Sequence, residues 1–227
     1  MKIGGFIPFT LADFPGRPAA VIFAAGCNLR CPFCHNPELV TGSGELALDD
    51  ILSFLEARRG LLHGVCISGG EPTLSPGLYE LLVRLKDLGY AVKLDTNGTS
   101  PQQLFQLISA DVVDYVALDI KSAPQKYSRA CGRELDPCCV AESAAVLKEW
   151  GAYELRTTAV PGLVELSDLS AIGQWLGPVK RYALQQFRPG KTLAPEYHQL
   201  APYDPAWLDA AAGLAREWAE EVIIRGI

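Results

Sequence analysis

Apolar positions follow one another along the chain in two alternating rhythms. Short β-branched and apolar runs at 19–25, 65–68, 91–94, 115–118, 153–158 and 181–187 read as strands, several closed by Gly. Between them the spacing turns helical. In 48–59 the residues Leu48, Ile51, Leu52 and Leu55 share one face, and in 76–88 Leu78, Leu81, Leu82 and Leu85 do the same. Further helical patterns cover 101–109, 139–150, 166–176 and 205–221, the last after a Pro-rich loop at 189–205. Strands alternating with helices predict parallel strands joined by right-handed crossovers. The six strand–helix units are two short of a closed barrel. The expected fold is therefore α/β, a partial (β/α)6 TIM-like barrel of parallel strands. The apolar ends at 3–9 and 222–227 are expected to pair with each other or to flank the edge strands. With no linker, internal repeat or low-complexity tract, residues 1–227 are expected to form a single domain.

Composition narrows the function. A hydrophobic share of 49% in 227 residues is enough for a sizeable core. A net charge of -6 argues against a broad phosphate-binding surface, so no nucleic-acid partner is expected. No apolar run reaches membrane-spanning length and no basic-then-apolar leader opens the chain, which predicts a cytoplasmic protein without a membrane partner. Seven cysteines, an odd number and partly clustered, suit ligation in a reducing compartment better than a disulfide framework.

The first strand runs straight into Cys27-Asn28-Leu29-Arg30-Cys31-Pro32-Phe33-Cys34, where three thiolates can converge in a loop punctuated by Gly26 and Pro32. Iron–sulfur cubanes normally take four thiolates, so three leave one iron open. A zinc site recruiting His35 or a distant cysteine, or simply buried free thiols, are the alternatives. Gly69-Gly70 would let backbone polar groups approach a ligand, or would make a plain strand-to-helix turn. Asp119 and Lys121, two apart on a strand, point to the same side, facing a ligand or each other. These groups sit at the C-terminal ends of strands, where parallel α/β folds collect their ligand sites. Cys66 reads as a core thiol, whereas Cys131, Cys138 and Cys139 offer only three ligands for an auxiliary cluster. His63 and His198 are isolated.

The C-x3-C-x2-C spacing with Phe33 before the last cysteine resembles the signature of the radical S-adenosylmethionine superfamily. Ser68-Gly69-Gly70-Glu71-Pro72 resembles its GGEP motif, Leu94-Asp95-Thr96-Asn97-Gly98 its DTNG segment, and Leu118-Asp119-Ile120-Lys121 its D-x-K segment. Together with Cys34-His35-Asn36-Pro37, and Arg156 ahead of Val160-Pro161-Gly162, these are most like the activating enzymes of glycyl radical enzymes. The opening at 5–16 is similar to the activating proteins of anaerobic ribonucleoside-triphosphate reductase. The resemblance spans approximately 7–162.

The resemblance implies a [4Fe-4S] cluster on Cys27, Cys31 and Cys34, with S-adenosylmethionine among Phe33, His35, Gly69, Gly70, Glu71, Asp95, Asp119, Lys121 and Arg156. Within it, Gly69 and Gly70 would meet the methionine amino group and Lys121 the carboxylate. Asp119 would address the ribose or a cation, Asp95 a monovalent cation or the ligand, and Arg156 the ligand or these carboxylates. The implied reaction is reductive cleavage of S-adenosylmethionine followed by hydrogen abstraction from a glycine of a partner enzyme. A low-potential donor such as flavodoxin or ferredoxin would supply the electron, and no side chain need act as acid or base. One departure is the stretch Gln186-Phe187-Arg188-Pro189-Gly190, which lacks the histidine that the pyruvate formate-lyase activating type carries near the adenosine. This disfavours that partner. A radical enzyme acting on a small molecule or peptide would share every motif. A non-enzymatic metal-binding or electron-transfer protein would share only the cysteine loop.

Overall fold

The computed structural model describes residues 1–42 and 44–226. Its strands are β1 (Ile3–Thr10), β2 (Ala19–Ala24), β3 (Gly64–Gly69), β4 (Ala91–Thr96), β5 (Tyr115–Asp119), β6 (Tyr153–Ala159), β7 (Val179–Gln186) and β8 (Ala219–Arg225). The helices are α1 (Pro37–Thr41), α2 (Leu48–Ala57), α3 (Leu78–Asp87), α4 (Pro101–Ser109), α5 (Tyr127–Cys131), α6 (Cys138–Trp150), α7 (Leu166–Leu176) and α8 (Pro205–Ala215). Strand order in the sheet follows chain order, β1 to β8. All six expected strands and all six expected helices are present, so the α/β alternation read from the sequence holds.

The chain divides into two compact units. The first comprises 1–28, 38–96 and 102–117. Here β2, β3 and β4 run parallel, in registers such as Ala20↔Val65 and Val65↔Val92, and β1 joins β2 antiparallel. Nearly every residue of β2 is buried, as a continuous apolar strand covered on both faces requires. The leucine stripe of α3 and the Ile51–Leu52–Leu55 face of α2 are buried as their spacing predicts. β1 carries Gly4, Gly5 and Pro8 and slips register between Ile7 and Thr10, features tolerated in a strand at the edge of a sheet.

The second unit comprises 29–37, 97–101 and 118–227, and in it β6, β7 and β8 run parallel. The helical pattern expected to reach residue 221 stops at Ala215. From Ala219 the chain extends along β7, with Val179↔Ala219 and Leu184↔Ile224 in register. The β-branched Val222, Ile223 and Ile224 fit a pleated surface better than a helix, and this overrides the upstream periodicity. Of the two arrangements expected for the apolar ends, flanking holds: β1 pairs with β2 and β8 with β7. Residue 227 of the expected C-terminal run lies outside the described residues.

β8 is fastened to β6 by Arg225, which donates twice, at 2.7 Å each, to the carboxylate of the fully buried Glu154. A buried carboxylate deprived of its guanidinium is costly. Arg225→Met is expected to destabilise the protein by about 3 kcal/mol, read from urea unfolding, with the curve of Glu154→Gln/Arg225→Met lying above that of the single variant. Among the described residues no helix is long and apolar enough to cross a membrane.

Candidate functional site

In the first unit the segment entering the cysteine loop is held by backbone bonds. Gly26 N donates to Leu39 O (2.7 Å), and Cys27 N to Val40 O (3.3 Å). The Gly69-Gly70-Glu71 turn lies against the same segment, with Gly70 N on Ala24 O (2.9 Å) and Glu71 N on Gly26 O (2.8 Å). A Cβ on Gly70 would fall 2.0 Å from Gly26 O, so no side chain fits there. Glu71 is fully buried, and its Oε1 accepts from Thr73 N (3.1 Å), Thr73 Oγ1 (2.6 Å) and Thr96 Oγ1 (2.7 Å). Its carboxylate thus ties the turn to the end of β4. Beside it is a cleft of about 490 Å³, lined among others by Lys2, Gly26, Cys27, Asn28, Glu71 and Leu74.

Asp95 in the same unit takes part in a buried ion pair with Lys93 and accepts from Ser68 Oγ at 3.1 Å. Lys93 Nζ also lies 3.8 Å from Cys66 Sγ. Cys66 is a fully buried thiol, as its place in an apolar strand predicts.

The second unit holds the rest of the loop. Cys34 N donates to Cys31 O (3.0 Å), closing a turn around Pro32 and the buried Phe33. The turn is clamped from two sides. Arg30 N donates to Cys131 O (2.8 Å), while Ala194 N and Leu193 N donate to Pro32 O (2.9 Å) and Cys34 O (3.0 Å). The buried Cys31 thiol is hydrogen-bonded to that of Cys131. This contact, helped by the Lys121 charge and opposed by burial, lowers Cys31 to about 7, while its partner Cys131 is raised.

Asp119, at the end of β5, accepts from Arg156 Nε (2.5 Å) and Lys121 Nζ (2.9 Å), and all three side chains are mostly buried. Burial works to raise the carboxyl, but the two cations outweigh it and hold Asp119 well below the usual carboxylate range. Lys121 is correspondingly raised, the Asp119 and Cys31 charges overcoming the cost of burial. His35 stacks on Phe187 with ring centroids 5.7 Å apart, and burial lowers its pKa.

The site residues named from the sequence thus fall in two sets. Cys27, Gly69, Gly70, Glu71 and Asp95 belong to the first unit, while Cys31, Phe33, Cys34, His35, Asp119, Lys121 and Arg156 belong to the second. Cys138 is exposed, and Cys139 Sγ is bonded to Asp136 O (3.1 Å). Sequence reasoning missed Lys93 and the contact of Cys131 with Cys31. The alternation of Lys93 with Asp95 across one strand face was the available signal for the first, and nothing in the sequence signalled the second.

Among the described residues no three His, Cys, Asp or Glu side chains converge as ligands of one metal ion. In a cubane each thiolate addresses a different iron, so its ligands stand farther apart than those of a single ion. The donor set fits such a group: three thiols in one tethered loop, with a lysine ammonium acting on one of the sulfurs.

The sequence profile of the Radical SAM superfamily matches residues 21–167. A Methanocaldococcus jannaschii protein that carries the provisional name of glycyl-radical enzyme activating enzyme is 31% identical over 99% of this chain and 96% of its own. The 7-carboxy-7-deazaguanine synthase of Neisseria meningitidis serogroup B is 34% identical over 58% of each chain. Streptococcus suis SuiB bound to S-adenosylmethionine superposes with a TM-score of 0.69 at 16% identity, covering 91% of this chain and 50% of SuiB, which shows the fold. The chain is an enzyme of the radical SAM superfamily, whose members work with a [4Fe-4S] cluster and S-adenosylmethionine.

Proposed function

We propose that the chain, acting as one catalytic domain, activates a glycyl radical enzyme, and that this partner is an anaerobic ribonucleotide reductase. The observation that carries the reading is the 31% identity to an activating-enzyme relative along 99% of the chain, with the opening at 5–16 supporting the choice of partner. Cys27, Cys31 and Cys34 would hold the cluster. Gly69 and Gly70 would present backbone groups to the methionine amino group and Lys121 its ammonium to the methionine carboxylate, while Asp119 and Arg156 meet the ribose or each other. Glu71 and Asp95 shape the walls through Thr96 and Ser68. Phe33 and His35 border the site.

When bound, the two cofactors supply a hydrogen-abstracting adenosyl radical. The protein's part is to bind, orient and keep water out. Asp119 stays ionised and Lys121 stays protonated, so they set charge and move no proton. A low-potential flavodoxin or ferredoxin would deliver the electron in the cytoplasm. The partner would insert a glycine-bearing loop, because a radical formed with no acceptor in place is lost to side reactions.

The test combines reduced, reconstituted protein with S-adenosylmethionine and a candidate anaerobic ribonucleotide reductase. A glycyl doublet in electron paramagnetic resonance, with methionine released, is the expected result. The similarity to 7-carboxy-7-deazaguanine synthase favours a second reading, a small purine-like substrate, over a shorter share of the chain. No doublet with any glycyl radical candidate, together with metabolite-stimulated release of 5'-deoxyadenosine, would establish that second reading instead.

A further inference from the structure

The end of β4 grips the Gly69-Gly70 turn on both sides. Asp95 Oδ2 accepts from Ser68 Oγ (3.1 Å), and Thr96 Oγ1 donates to Glu71 Oε1 (2.7 Å). Two adjacent residues of β4 thus hold the two residues that flank the glycines. Against β2 the turn is already fixed by Gly70 N on Ala24 O, and a Cβ on Gly69, at φ +113°, would fall 2.5 Å from Ala24 N. Of the two bonds from β4, the one through Asp95 has a further partner behind it. Cys66 of β3 stands opposite Lys93 of β4, and two residues on along each strand the same face carries Ser68 and Asp95. Lys93 Nζ pairs with Asp95 Oδ1 and lies 3.8 Å from Cys66 Sγ. Lys93 is 2% exposed and Asp95 8%, so this ion pair is made away from solvent.

Stability does not account for such a pair. Two apolar side chains of similar volume commonly serve a fold as well or better, because taking both charges out of water offsets their attraction. What the pair supplies is direction. With Oδ1 held by the ammonium, Oδ2 is turned to the Ser68 hydroxyl. We propose that Lys93 is a positioning residue for the cosubstrate site, its buried ammonium fixing Asp95 so that β4 holds Gly69 and Gly70 in the conformation that receives the methionine amino group. The proposal rests on the reading that these glycines meet that group. Lys93 acts on the cosubstrate through Asp95 and Ser68.

The experiment compares the reconstituted full-length protein with its Lys93→Met, Ser68→Ala and Ser68→Ala/Lys93→Met variants. It measures KM and kcat for S-adenosylmethionine cleavage and, on the cluster-free chain, hydrogen exchange of the amides at 69–71. Lys93→Met should raise KM about tenfold with kcat within about twofold, the mark of lost binding rather than lost chemistry. Ser68→Ala, which breaks the last link, should raise KM about threefold. The double variant should be no worse than Lys93→Met, because both residues act in one chain, whereas independent damage would multiply. Exchange at 69–71 should quicken about tenfold in Lys93→Met. Lys93→Met/Asp95→Asn leaves no buried charge unpaired and serves if the single variant does not fold. It should unfold in urea like the wild type and still show the raised KM, which a merely structural pair would not. Exchange at 69–71 unmoved in the folded variants, or penalties that multiply in Ser68→Ala/Lys93→Met, overturns the proposal. Quickened exchange with KM unchanged would instead bring down the assignment of the glycines to the cosubstrate beneath it.

Discussion

Cys27→Ala, Cys31→Ala and Cys34→Ala, taken singly, should each drop the iron content of anaerobically reconstituted protein from about four per chain to near zero, and abolish cleavage of S-adenosylmethionine with it. The loss should separate from folding. The loop owes its path to backbone bonds that alanine retains, among them Gly26 N to Leu39 O and Leu193 N to Cys34 O. Cys27 and Cys34 are only half-buried, so truncating them leaves little void. Far-ultraviolet circular dichroism should therefore match the wild type while the charge-transfer absorbance of the cluster disappears. Cys138→Ala and Cys139→Ala are the controls. One thiol is exposed and the other is bonded to Asp136 O, and both variants should keep a full complement of iron. A loss of several irons from either would overturn the single-cluster reading.

The second large effect concerns the trio around Asp119. Lys121→Ala is expected to raise the KM for S-adenosylmethionine roughly thirtyfold, the equivalent of about 2 kcal/mol for a charge-assisted hydrogen bond. Iron content should not change. Asp119→Asn should act in the same direction by a different route, since it removes the carboxylate that Lys121 and Arg156 share and leaves two buried cations side by side. The pH dependence follows from the shifts. A carboxyl held below its usual range and a lysine held above its own both keep their charge between about pH 5 and pH 9, so cosubstrate affinity should be flat across that window. The stability contributed by the Asp119 pairings is present above the unfolded carboxyl value of about 4 and is lost as the solution is acidified below it. A sigmoidal dependence of affinity near neutrality would point to another group and count against this trio.

What could be read from the sequence was what local chemistry dictates. The leucine spacing of α3 and the apolar run of β2 each admit one structure, and the order of the motifs put their residues at strand ends. The failures were of a different kind. β8 follows directly on a helix and opens with Ala219-Glu220-Glu221, so helical propensity masked a strand that only its pairing with β7 decides. Lys93 reads as an exposed charge in a strand, and its burial follows from a partner on the same face and a covered sheet. The Glu154–Arg225 pair joins residues far apart in sequence, and Cys131 meets Cys31 through a backbone approach that needs a glycine at 132. Contacts made by distant segments leave no periodic trace.

One such contact bears on how the protein matures. The turn around Pro32 takes its outer hydrogen bonds from Leu193 and Ala194, and its inner one joins Arg30 to Cys131. The cysteine loop is made before these partners, which lie about a hundred residues or more downstream of it. Contacts so distant in sequence form late, after long loops have closed. During synthesis the entry to the loop can already be held by Leu39 and Val40, while its Arg30–Cys34 part waits for these later partners. Truncations ending before residue 193 should leave the loop without the bonds from Leu193 and Ala194.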